Sequence, residues 1–137
     1  MKDFAVLLLR VSAGAIMMFA HGLPKLNLLF SSREITFFDP FGVGALTSLI
    51  LVIIAEFLCS IFLIAGLFTR AALIPLIVTM FVATFIYHAG DTFAQIEKSL
   101  LFLVIYVVLL LNGPGKFALG KVIKVKSGNK FVKYLFE

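Results

Sequence analysis

The sequence predicts an all-α protein, a four-transmembrane-helix bundle with both termini cytoplasmic. Three observations predict it. Hydrophobic residues make up 62% of the chain and charged residues only 14%, against about 45–50% and about 25% in soluble domains. Four apolar stretches are long enough, or nearly so, to cross about 30 Å of hydrocarbon at about 1.5 Å per residue. The last of them is followed by Lys116, Lys121, Lys124, Lys126, Lys130 and Lys133 against the single acid Glu137, the charge bias of a cytoplasmic tail. The mean hydropathy of +1.15 excludes a soluble globular domain and a disordered chain alike.

The length of 137 residues fits one domain, read as a transmembrane domain over 1–120 and a Lys-rich cytoplasmic tail over 121–137. The first span covers about 4–21. It carries Arg10 early and His21 at its end, and Gly22-Leu23-Pro24 is expected to stop it. Asp3 and Arg10 break the pattern of a cleaved signal peptide, so an uncleaved first helix is expected. The second span covers about 45–67, with Glu56 near its middle. The third covers 71–88, with Pro75 in its first turns, where a missing N–H costs little. The fourth covers about 93–112. Its apolar core from Leu100 to Leu111 is too short to cross alone, so Gln95, Glu97 and Lys98 must belong to its first turns. Asn112-Gly113-Pro114-Gly115 ends it.

The link between spans two and three is short, which makes them an antiparallel hairpin. The link between spans one and two is long and rich in Leu and Phe. Such a segment is expected to lie on the membrane surface or to cap the bundle.

The net charge of +5 serves topology and anionic headgroups rather than nucleic acid, because it sits beside a membrane segment. The one cysteine, Cys59, forms no internal disulfide or CxxC pair and reads as a small packing residue. No Walker, GxGxxG or HExxH motif occurs. No intrinsic cofactor is evident.

Function is expected where charge is costly. A carboxylate at the centre of a span costs roughly 2.5–3.5 kcal/mol or more to insert, so Glu56 needs a partner. With helix one starting at Phe4, Arg10 lies roughly 9 Å into the membrane and Glu56 roughly 17 Å, both from the cytoplasmic end. A gap of about 8 Å is within reach of the two side chains, since arginine snorkels. An Arg10–Glu56 pair is therefore expected, either as a proton or quinone contact or as a structural pin of helix register. Arg10, Gly14, Met17 and His21 share one face of helix one. Glu97, Leu101, Val104 and Val108 are expected to form the inward face of helix four. A second, outer cluster of His21, Lys25, His88, Asp91 and Glu97 would form a substrate-binding rim, with interface histidines as the plainer reading. A two-histidine, one-carboxylate metal site would need three helices to converge, and none is assigned.

Several short motifs, taken in order, resemble the DoxX family of small four-helix membrane proteins. They are Leu7-Leu8-Leu9-Arg10, His21-Gly22-Leu23-Pro24-Lys25, Glu56, Gly66-Leu67-Phe68-Thr69-Arg70, His88, Glu97 and Gly113-Pro114-Gly115. The chain departs from the pattern after Gly115, where Lys116-Phe117-Ala118-Leu119-Gly120 replaces a Ser-Leu-Asp-like turn. The resemblance spans about residues 4–120. It implies a multi-pass protein of the bacterial inner membrane, linked in some relatives to thiosulfate:quinone oxidoreductase or to other redox complexes. A subunit of a membrane redox system is then the first expectation, with a quinone or a small sulfur species as ligand, a redox partner subunit, and the lipid bilayer around it. A small-molecule transporter and a non-catalytic assembly subunit are the alternatives.

Overall fold

The computed structural model describes residues 1–122 and 129–136; the tail lysines Lys124 and Lys126 lie outside them. Among the described residues there is no strand, and four helices are long and apolar enough to cross a membrane. They are α1 (Lys2–Leu29), α2 (Ala45–Ala65), α3 (Thr69–Tyr87) and α4 (Phe93–Asn112). A short helix, α5 (Lys130–Phe136), follows.

The helices alternate in direction, so the chain has two ends to its bundle. One holds both chain termini and the α2–α3 hairpin. The other, the loop end, holds residues 30–44 and the α3–α4 turn. The hairpin is tight because Gly66 closes α2 in the left-handed region (φ +72°) and Phe68 follows at φ +48°. α4 starts on a capping box in which Thr92 and Gln95 satisfy each other's backbone donors.

α1 differs from the expectation at its C-terminal side. Gly22-Leu23-Pro24 does not stop it; the helix continues to Leu29. A π turn at Met18–Gly22 precedes the proline. A proline inside a helix removes a donor and crowds the carbonyl four residues back. The widened turn re-registers the backbone and lets the helix pass it. α2 and α3 also carry π turns, at Ile54–Cys59 and Ala83–Tyr87. α3 starts at Thr69, so Pro75 lies inside the helix rather than in its first turn.

Two glycines bring α1 against α2. A Cβ on Gly14 would meet Ile64 Cγ1 at 2.7 Å and the Ser60 carbonyl at 3.2 Å, and one on Gly22 would meet the Glu56 carbonyl oxygen at 2.7 Å. The close backbone approach is the small-residue packing that membrane helices use where no hydrophobic effect drives them together. At Gly22 the obstacle is backbone, which has little room to yield. Gly22→Ala is expected to cost about 1–3 kcal/mol by overpacking. A fall in the melting temperature of the purified protein in detergent checks this, and an unchanged value would show that the two helices separate freely.

The inward face of α4 is also not the expected one. Ser99, Phe102, Tyr106 and Leu109 are buried, whereas Leu101, Val104 and Val108 are exposed and Glu97 faces outward. The true face is rotated by about one residue, or roughly 100°. Lipid-facing and core-facing residues are equally apolar in a membrane helix, so periodicity of hydropathy carries little information there.

Candidate functional site

A cavity of about 890 Å³ opens in the loop-end half of the bundle. All four spanning helices line it. α1 contributes Met17, His21 and Lys25, at a spacing of four that places them on one face. α2 contributes Ser48, Leu51, Val52, Ala55 and Glu56. α3 contributes a stripe from Pro75 to His88, and α4 contributes Gln95, Lys98, Ser99 and Phe102. The π turns of α1 and α2 carry His21 and Glu56, and that of α3 ends next to His88. Widened turns of this kind recur where a helix must aim a side chain at a functional site.

Residues 36–41 of the long loop roof the cavity with Phe37, Phe38, Pro40 and Phe41. Phe38 meets Tyr87 of α3 edge to face, with centroids 5.0 Å apart. Asp39 pins the roof to α2 by accepting from Ser48 Oγ (2.8 Å), Val43 N (3.0 Å) and Gly44 N (2.7 Å). The bond from Ser48, with those from the backbone amides, holds the Asp39 carboxyl below its ordinary value. Its anchoring is complete above the usual carboxylate range and is lost only as pH falls through the lowered value.

The buried carboxylate has a partner, and it is not arginine. Lys25 Nζ lies 2.5 Å from Glu56 Oε2, with the lysine side chain 25% exposed and the glutamate 5%. The expected Arg10–Glu56 pair is absent. Arg10 is 1% exposed and points toward the termini end, where Nη1 donates to the Pro114 carbonyl (2.8 Å) and Nη2 to the Phe117 carbonyl (3.1 Å). The cause is axial offset. Arg10 lies beside Gly66, past the last turn of α2, and Gly66 is about 15 Å along the helix from Glu56. Lys25 stands one turn beyond Gly22, which touches the Glu56 backbone, so its stem reaches the carboxylate directly.

The remaining candidate residues divide. His21 lines the cavity and meets Phe102 edge to face at 6.2 Å. His88 lines it too, with Nδ1 2.8 Å from Asp91 Oδ2. Asp91 therefore serves the site through His88 rather than by lining it, and Glu97 is not part of the wall. Lys98, also on the wall, was not singled out by sequence reasoning. Placing Gln95, Lys98, Ser99 and Phe102 at spacings of three, one and three on one face would have found it, and continuing helix one through Pro24 would have brought Lys25, expected only at the rim, to Glu56. Among the described residues no group of three His, Cys, Asp or Glu side chains is placed to hold a metal.

The arrangement is an apolar chamber with two lysines, two histidines and one carboxylate on its walls. A family model for DoxX matches residues 5–89, more than half of the chain and the stretch that supplies His21, Lys25, Glu56 and His88. The chain belongs to the DoxX family. No curated protein and no solved structure matches it. As a DoxX protein with four apolar helices it is a multi-pass membrane protein embedded in a lipid bilayer.

A second polar assembly in this DoxX chain closes the termini end. Gly120 N donates to the Gly66 carbonyl (2.9 Å) and Lys116 N to Asp3 Oδ1 (3.1 Å). Arg70 donates to the Leu110 carbonyl (3.4 Å) and the Tyr134 carbonyl (3.3 Å), with its guanidinium 4.0 Å above the Tyr134 ring. Together with Arg10 these contacts fold residues 113–121 beneath the bundle and dock α5 on the hairpin. The role of Arg10 is thus to cap carbonyls left open past the end of α4, far from the cavity.

Proposed function

We propose that this DoxX protein is a membrane subunit of a redox system, and that its cavity binds the ring of a quinone as substrate. The observation that carries the reading is the Lys25–Glu56 pair, which faces an apolar chamber from within the membrane-spanning helices. A cavity of this size suits a drug-sized ligand. Its walls suit a quinone: Met17 and Phe102 can pack against a flat ring, and Lys25, Lys98 and His21 can donate to carbonyl oxygens.

Reduction of a quinone takes up two electrons and two protons. The single cysteine rules out a dithiol of the protein's own as donor, so the electrons come from a reduced sulfur compound or from a partner subunit. The residues here bind, orient and exchange protons. Lys25 and Glu56 share a hydrogen bond through which a proton can pass to a ring oxygen; His21 stands beside the pair and His88 nearer the rim, and histidine can relay protons at physiological pH. With the lysines of the termini end in the cytoplasm of a bacterial inner membrane, the cavity faces the outer half of the bilayer. Transport of a solute across the membrane is less well supported, because the packed core and the Arg10 clasp lie between the cavity and the termini end.

Glu56→Gln keeps the shape of the side chain and removes the proton exchange. It is expected to lower quinone-dependent oxidation of thiosulfate by membranes carrying the complete system by about 100-fold, the scale of general acid–base catalysis. Immunoblotting should find the variant in the membrane at normal level. Undiminished turnover with a normally accumulated variant would remove the quinone role.

A further inference from the structure

The cavity carries an aromatic roof at its loop end, and its side wall includes residues of α2 and α3 that stand apart from each other. Leu51 of α2 and Val78 of α3 both line the cavity, and both are half exposed, at 52% and 50%. They stand on segments of α2 and α3 that are not packed against each other. The packing explains the gap. α3 makes its close approach to α2 at Ile54–Cys59 and below, whereas the first turns of α2, Ala45–Ile53, lie against the end of α1 instead. Above Glu56 the two helices of the hairpin diverge, and the stripe of Val78, Thr79, Val82 and Ala83 forms one edge of the opening.

The chemistry changes along this opening. Its inner end holds Lys25, Glu56 and Lys98; its outer edge is aliphatic. The roof that would admit a polar solute from water is fastened twice, by the Phe38–Tyr87 contact and by Asp39 on α2.

We propose that the ligand enters sideways from the bilayer between α2 and α3, and that it is a lipid-soluble quinone whose single apolar tail remains in the opening between Leu51 and Val78. This deepens the preceding reading and rests on it for the head group, while the opening itself is independent of the ligand's redox chemistry. A tail left in place relieves the site of burying it and orients the ring toward Lys25.

The chain has no tryptophan, so a single introduced one reports alone. The opening is tested in nanodiscs of phosphatidylcholine with brominated acyl chains. Thr79→Trp, inside the cavity wall, should be quenched nearly as strongly as Leu101→Trp on the lipid face of α4. Tyr106→Trp in the core should be shielded. Shielding of Thr79→Trp to the level of Tyr106→Trp would overturn the opening, whatever quinones do.

The tail is tested by thermal stabilisation of the full chain with two quinones of the same ring, one bearing a decyl chain and one bearing none. In the Leu51→Phe/Val78→Phe double variant the decyl quinone should bind about tenfold more weakly, the effect of losing contact with roughly two methylenes, and the tail-free ring should be unaffected. Equal effects on both quinones, or none on either, would overturn the placement of the tail. If neither quinone stabilises the unsubstituted protein, the quinone and its tail both fall, and the bromolipid result still decides the opening.

Discussion

Arg10→Ala is expected to destabilise the protein by about 3–5 kcal/mol, and removing Glu56 in addition is expected to restore none of it. The guanidinium is 1% exposed and donates to the Pro114 and Phe117 carbonyls. Hydrogen bonds to a charged group contribute roughly 1.5–3 kcal/mol each, and removing the donor leaves carbonyls without a partner. The loss falls on residues 113–121, whose hold on the bundle otherwise rests on Asp3 and on the Gly120–Gly66 bond. Arg10→Lys keeps one charge but not the fork that reaches two carbonyls, so it should recover only part of the stability. Thermal unfolding of Arg10→Ala, Glu56→Ala and the double variant gives the coupling energy. A value within about 0.5 kcal/mol of zero is expected for sites that share no partner. Strong positive coupling would mean that the two residues pair after all.

Lys25→Met should give the opposite pattern. It strands a carboxylate that is 5% exposed, and breaking a buried pair from one side typically costs about 3–5 kcal/mol. Glu56→Gln should cost less, because the 25% exposed Lys25 side chain can swing its ammonium into the cavity. Lys25→Met/Glu56→Gln should be more stable than Lys25→Met alone, since no unpaired charge remains. The coupling is read from the same unfolding cycle. Additive losses would show that Glu56 finds another counterion, with Lys98 the other lysine on the cavity wall. A variant that is stable but does not bind quinone would separate the structural work of the pair from its chemistry.

How far the sequence carries depends on the residue. The cost of Glu56 in a span predicted that a partner exists, and Glu56 is indeed buried against a cation. The identity of that cation was misread because Pro24 was taken as a helix stop; the π turn that lets α1 continue leaves no signal in single-residue propensities. His88 was legible as a cavity residue from its position at the end of its helix; His21 was named on the same ground and does line the cavity, although α1 continues past it to Leu29. Glu97 and Lys98 are adjacent in sequence and about 100° apart on the helix, so a small error in rotation exchanges a wall residue for a lipid-side one. Asp39 was invisible as a roof anchor, because its partners are two backbone amides and Ser48 from nine residues away.

By itself the sequence determined the four spans and their alternation, since a bilayer leaves a polypeptide no other way to cross than long apolar helices with satisfied backbones. It also determined that ionisable groups inside those spans need partners. The tertiary structure decided which partners: the glycine contacts at Gly14 and Gly22 set the axial offset of α1 on α2, and that offset gives Glu56 to Lys25 and Arg10 to the carbonyls of residues 114 and 117. It also decided the rotation of α4 and the divergence of α2 from α3, because lipid is as apolar as a protein core and hydropathy alone does not distinguish the side of a helix that faces one from the side that faces the other.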